Sequence, residues 1–156
     1  EKDSKEERVF HKQPVADQAH KVWIREANVI RDGVGTSLIN TGDTIKFTAL
    51  LDSSEPTRVH LAVGLDRNDG VIVYGISTEI DDVNPIEVNG KTRVSFVASN
   101  INLLSGEYNF IIIVMDDKAF NVISQYRTPN FSVARETKEL GIFRPDHSWR
   151  IESEPL

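Results

Sequence analysis

The sequence predicts an all-β protein, an antiparallel β-sandwich of the immunoglobulin-like or jelly-roll-like kind. Three observations point there. Apolar and polar residues alternate with a period of two in about eight to ten short segments. Gly, Pro, Asn and Asp punctuate those segments at fairly regular spacing. No stretch carries the 3.6-residue apolar period of a helix that packs on a core.

The elements follow in order. Val22 to Ile30 reads as a first strand. In Asp43 to Leu51, Ile45, Phe47, Ala49 and Leu51 share one face, with Lys46 and Thr48 on the other. In Arg58 to Asp66, Val59, Leu61, Val63 and Leu65 point inward, so His60, Ala62, Gly64 and Asp66 point outward. Arg67-Asn68-Asp69-Gly70 is a turn, because Asp-Gly supplies the positive φ that a hairpin needs. Val71 to Ser77 returns from it. Lys91 to Ala98 follows, then a long strand from Gly106, then Phe120 to Gln125 and Asn130 to Ala134, separated by Pro129. Ile142-Phe143 and Ser148 to Ile151 are the last two apolar segments.

The strand from Gly106 to Met115 differs from the rest. Tyr108, Phe110, Ile112 and Val114 fall on one face; Asn109, Ile111, Ile113 and Met115 fall on the other. An ordinary sandwich strand keeps one face polar for water. Both faces here are apolar. The strand is therefore expected at the centre of its sheet, with its second face covered by a helix, another subunit or a ligand.

Composition sets limits. A chain of 156 residues suits one domain with a sizeable core. Residues 1–21 are dense in mixed charge at the start and polar throughout, and read as a linker or approach segment from an upstream domain. The sandwich is then expected over 22–156. The net charge of −6 gives no bulk attraction to nucleic acid or to an anionic membrane. Without cysteine there is no disulfide and no thiolate-bound metal. No apolar run approaches the roughly 20 residues needed to cross a bilayer as a helix.

Motifs of catalysis are absent. The sequence has no phosphate-binding Gly-x-x-x-x-Gly-Lys-Ser/Thr, no Gly-x-Gly-x-x-Gly and no Gly-x-Ser-x-Gly elbow. His11, His20, His60 and His147 lie in unrelated contexts. The acids of Asp66 to Gly70 lack the spacing of a calcium loop. Asp81-Asp82 and Asp116-Asp117 read as solvated loop acids. No cofactor, no metal and no catalytic residue is expected.

The aromatic and small residues suggest a different chemistry. Sugar-binding modules stack an aromatic face on the apolar face of a ring and hold its hydroxyls with amides, acids or guanidinium groups. Trp23 stands beside Arg25, and His60 heads an outer row continued by Ala62 and Gly64, which leaves a shallow groove. Each has a second reading: Trp23 as a core tryptophan, His60 as a surface histidine, and Ala62 and Gly64 as ground beneath a partner subunit. Taken as contacts, the facing rule offers Trp23, Arg25, His60, Tyr74, Asn109, Gln125 and Arg127. The same face could equally be a dimer interface.

Three segments carry a family resemblance: the hairpin from Val63 to Thr78, Leu103-Leu104-Ser105-Gly106-Glu107-Tyr108, and Gly141-Ile142-Phe143-Arg144-Pro145-Asp146-His147-Ser148-Trp149. Over Val22 to Trp149 the chain resembles the C-terminal domain of Wzt, the ATP-binding subunit of bacterial ABC transporters that export O-antigen polysaccharide. It departs from that pattern at Ile76-Ser77-Thr78, where the family text has Asn-Thr. The resemblance implies a non-enzymatic carbohydrate-binding module that recognises the modified non-reducing terminus of the glycan. It further implies a homodimer that exchanges a C-terminal strand, and a cytoplasmic place at the inner membrane beside the transporter's nucleotide-binding domain and membrane subunit. Ile142, Phe143, Trp149 and Ile151, set behind the polar stretch from Arg135 to Glu139, fit such an exchanged segment. The competing readings are a sandwich-fold glycan hydrolase or lyase, and a purely structural Ig-like dimerisation module.

Overall fold

The computed structural model describes residues 21–134 and 138–151, so the expected linker over 1–21 lies outside them but for Lys21. Among the described residues every regular element is a strand. There are nine: β1 (Val22–Arg31), β2 (Val34–Gly35), β3 (Leu38–Asn40), β4 (Ile45–Arg67), β5 (Ile72–Ser77), β6 (Ile86–Ala98), β7 (Gly106–Met115), β8 (Val122–Arg127) and β9 (Phe131–Ala134).

β4 organises the architecture. The sequence reads it as two strands, Asp43 to Leu51 and Arg58 to Asp66, with a polar break between them. The structure joins them into one strand of 23 residues. The break is an irregularity in the ladder, where the pairing with β6 shifts between Ser53 and Thr57. Pro56 has no N–H to donate, so it suits a place where the ladder is interrupted. Ser53 Oγ donates to the Lys21 carbonyl at 2.9 Å, and Thr57 Oγ1 donates to the Glu55 carbonyl at 2.9 Å. These bonds satisfy groups that the broken ladder leaves over.

Beyond the irregularity β4 passes from one layer to the other. Its first half pairs with β1 and β6, and β2 extends that layer beyond β1. Its second half pairs with β5 and β7. β8 and β9 share the far side of β7. Where β8 ends, Thr128 holds the ladder: its N–H donates to the Phe110 carbonyl at 2.8 Å, and its hydroxyl accepts the Phe110 N–H at 3.0 Å. Pro129 then separates β8 from β9.

The fold is all-β as the periodicity requires, with one correction to a purely antiparallel sandwich. β3 runs parallel to β9, pairing Leu38 with Ser132 and Asn40 with Ala134. Two further segments differ. β6 begins at Ile86 rather than Lys91, because Val88 is buried and pairs with Thr57 beyond the β4 irregularity. The end of the chain forms one isolated bridge, Leu103 to Phe143, and residues 148–151 form no strand. Trp149 and Ile151 stand exposed there, with no neighbouring strand to bury them.

The core between the layers is built around four aromatic rings. Phe47 stacks on Phe110 at 5.0 Å between centroids, Phe110 on Phe131 at 5.5 Å, and Tyr108 on Phe131 at 6.1 Å. The Tyr108 hydroxyl donates to the Leu104 carbonyl at 2.8 Å and ties the approach loop to the strand. That fold-back explains Gly106: a Cβ there would meet the Tyr108 ring at 3.2 Å. Burial pushes the Tyr108 hydroxyl above its ordinary pKa. A second cluster, Val22, Leu51, Val59, Leu61, Val88 and Val114, fills the region where β4 changes layer.

Candidate functional site

The expected central strand is β7, and both of its faces are buried. Cross-strand partners share a face, so the register gives the layout. Tyr108, Phe110, Ile112 and Val114 look into the core with Leu61, Val63 and Leu65 of β4. On the opposite face Ile113 stands beside Ala62, and Ile111 beside Gly64. Ala62, Ile111, Ile113 and Met115 form a separate apolar cluster, against which Ala119 and Val122 pack.

Polar groups stand at both ends of this outer face. At one end His60 is only 6% exposed, and its Nδ1 lies 2.9 Å from Thr78 Oγ1. That same hydroxyl accepts the Leu61 N–H at 3.0 Å. His60 is therefore a packed and bonded residue on an outward row, not an open surface histidine.

At the other end a network has formed. Arg127 Nη1 donates to Asp66 Oδ2 at 2.7 Å and to Asn109 Oδ1 at 2.5 Å. Asn109 Nδ2 donates to Asn130 Oδ1 at 3.2 Å. The Asp66 side chain is 3% exposed and the Arg127 side chain 42%. A buried carboxylate thus lies beneath a guanidinium that water still reaches. Asp66 Oδ1 has no hydrogen-bond partner among the described residues. Glu107, two residues before Asn109 on the same face, accepts a bond from Ser132 Oγ.

The seven residues offered by the sequence fall into three places. His60, Asn109, Gln125 and Arg127 share the outer face of the β4–β7 layer, Gln125 opposite Ile113 and Arg127 opposite Ile111. Trp23 and Arg25 lie on β1, in the other layer. There Arg25 Nε donates to Asp52 Oδ2 at 3.0 Å, and its guanidinium carbon lies 5.6 Å from the centroid of the Trp23 ring. Tyr74 pairs with Leu65, an inward residue. It stands at the mouth of a cleft of about 620 Å³ between the edge strands β5 and β6, with Val73, Phe96, Ile101, Leu103 and Phe143 around it.

Asn130 and Thr78 complete the two polar ends and were not among the sequence candidates. Neither sits on the strands whose alternation fixes the outward row, so only the pairing reveals them. Asp66 was legible as outward, but its ion pair with Arg127 spans 61 residues of sequence.

Two loop acids are structural. Arg67 Nε and Nη2 donate to Asp69 at 2.9 and 2.6 Å, which lowers the Asp69 pKa. Gly70 has φ +87°, as the hairpin reading requires. Burial works to raise the Asp116 carboxyl, but bonds from Asn121, Phe120 and Lys118 outweigh it and hold the pKa below the usual range. Among the described residues no group of three or more His, Asp or Glu could hold a metal.

No protein-family model matches the sequence, and no curated protein is similar enough in sequence to match it. A search of solved structures gives a different result. The crystal structure of the C-terminal domain of Wzt superposes with a TM-score of 0.72, covering 92% of this chain and 95% of that one at 13% identity. The chain has the fold of the Wzt C-terminal domain. Other likenesses are partial. An alkylpurine DNA glycosylase, AlkC, of Pseudomonas fluorescens gives a TM-score of 0.46 at 12% identity, over 74% of this chain and 31% of that one. A putative β-galactosidase from Bacteroides fragilis gives 0.45 at 18%, over 66% and 15%. The Wzt likeness runs nearly end to end in both chains, as the three sequence segments led one to expect.

Proposed function

We propose that this chain is a glycan-binding module that recognises the modified non-reducing terminus of O-antigen polysaccharide and couples that recognition to export by an ABC transporter. The observation that carries this reading is the match of the whole domain, in both chains, to the Wzt C-terminal domain. The outer face adds chemical support, since amide, carboxylate and guanidinium groups converge at one corner of it. That combination suits a sugar ring with its hydroxyls. In this reading the module is not an enzyme: His60 is bonded to Thr78 and Asp66 to Arg127, in two separate networks. It works in the cytoplasm at the inner membrane, beside the nucleotide-binding domain and membrane subunit of the exporter. It needs no cofactor and no nucleic acid.

The module acts as a homodimer, with its C-terminal segment laid on a second copy. Leu140, Phe143, Trp149 and Ile151 are all exposed, which leaves large apolar side chains available to a partner. Light scattering of the full chain should give twice the 17.6 kDa monomer mass. A monomer at micromolar concentration would remove the exchange from the account. The function itself is tested by calorimetric titration with O-antigen polysaccharide bearing its terminal modification and with the same polymer lacking it. Binding is expected only to the first. Binding to neither, or release of reducing sugar, would overturn the reading.

A further inference from the structure

The corner formed by Asp66, Asn109, Arg127 and Asn130 has a charge balance that narrows what it can hold. Arg127 is the cation of the network, and its Nη1 already serves Asp66 and Asn109. Glu107 stands on the same face of β7, two residues before Asn109, bonded to Ser132. Within the network the Asp66 carboxylate and the Arg127 guanidinium balance each other, so the corner carries no spare positive charge. A phosphate or carboxylate brought there would meet the Asp66 carboxylate in a partly desolvated place and would have to compete with it for Arg127, which is unfavourable.

The hydrogen-bonding groups left over point the same way. Asp66 Oδ1 is buried and accepts no hydrogen bond from the described residues. An unmatched buried acceptor is destabilising, and an incoming donor removes that cost. Directly above it Arg127 is half-exposed, and its Nε and Nη2 have no partner among the described residues. The corner thus presents an acceptor and donors side by side. A vicinal pair of hydroxyls has the matching set, one donating to Asp66 Oδ1 and its neighbour accepting from Arg127. The donor enters beside the long Arg127 side chain, which can yield. Asn130, exposed at the rim, adds an amide.

We infer that this corner reads a vicinal diol on a neutral sugar ring, not an anionic cap. The inference rests on the glycan-binding reading above and fixes the chemical class that its site accepts.

The test uses the full chain, isotope-labelled, titrated by NMR with two sets of probes. One set is the methyl glycosides of glucose, mannose, galactose and rhamnose; the other is glucose 6-phosphate and mannose 6-phosphate. At least one neutral glycoside should shift the amides of Asp66, Asn109, Arg127 and Asn130, and the phosphates should bind that corner more weakly. Asp66→Asn should weaken the neutral probe about tenfold, the loss of one hydrogen bond. It should also strengthen phosphate binding, because Arg127 loses its counter-charge. A purely structural Asp66 would weaken both alike. Arg127→Lys, which keeps the charge and loses the planar fork, should weaken the neutral probe and leave phosphate binding low. Phosphates preferred by the native chain, a silent corner, or equal losses for both probes in Asp66→Asn would each overturn the inference. If the polysaccharide binds while the corner stays silent, the diol inference fails and the glycan reading stands. If no polysaccharide binds, the glycan reading fails.

Discussion

The two faces of β7 share one backbone and are both buried, yet they are built differently. The inner face offers Tyr108 and Phe110 to a run of stacked rings that joins the two layers. The outer face has Ile111, Ile113 and Met115 in the middle and charged or polar groups at its ends. Packing alone accounts for the inner face. The outer face holds a buried carboxylate with one oxygen unmatched, an arrangement that packing would not select. In the proposed reading the inner half of the strand makes the fold and the polar corner of the outer half serves a ligand.

Phe110→Ala tests the inner face and should have the largest effect. Phe110 touches two other rings, and its removal should cost about 3–5 kcal/mol, read as a lower midpoint in urea unfolding. A cost below about 1 kcal/mol would show that the stack does not organise the core.

Ile113→Ala asks whether the outer face is covered in solution as its 2% exposure requires. The expected cost is about 2–4 kcal/mol. A negligible cost would mean that this face is open to water, and the two faces would then differ in burial as well as in composition.

How much of this contrast was legible in the sequence depends on distance along the chain. The alternation in Arg58 to Asp66 and Gly106 to Met115 gave both rows of each strand, because side-chain period is a local property. Doubly apolar text also announced a covered second face. The union of two strands into β4 was not legible. Ser53-Ser54-Glu55-Pro56 has the composition of a turn, and only the long-range pairing of β6 across it makes it an irregularity within a strand. The parallel pairing of β3 with β9 escaped for the same reason: three residues carry no register of their own. The corner network joins residues from β4, β7, β8 and the β8–β9 connection, so the facing rule found Asn109 and Arg127 but not their link through Asp66 and Asn130. It also placed Trp23 and Arg25 with them, although β1 belongs to the other layer.

Arg127→Met probes the outer corner. It keeps the apolar stem and removes the charge, leaving Asp66 buried without its partner. We expect a loss of about 1–3 kcal/mol, less than a fully buried pair would show because the guanidinium is half in water. An unchanged stability at neutral pH would show that the ion pair contributes nothing, and the corner would lose its preorganised acceptor.

The smallest effect is expected where β7 ends. Asp116 holds its loop through bonds to its ionised form, and its folded-state pKa lies below the ordinary carboxylate range. Its contribution is therefore present above about pH 4 and lost as pH falls through the lower folded-state value. Asp116→Asn should lower the thermal midpoint by a few degrees at pH 7, corresponding to about 1 kcal/mol or less, with the difference closing as the pH falls below the ordinary carboxylate range. A difference that persists unchanged at low pH would show that charge is not what Asp116 contributes.

The central claim is that the outer face of β7 binds sugar while the inner face only holds the fold. The most direct measurement is an amide shift map of the full chain titrated with end-modified O-antigen polysaccharide. The account predicts saturable shifts at Asp66, Asn109, Arg127 and Asn130, with Phe47 and Phe131 unmoved. Shifts confined to Trp23 and Arg25 on the opposite layer, or none at any residue, would contradict it.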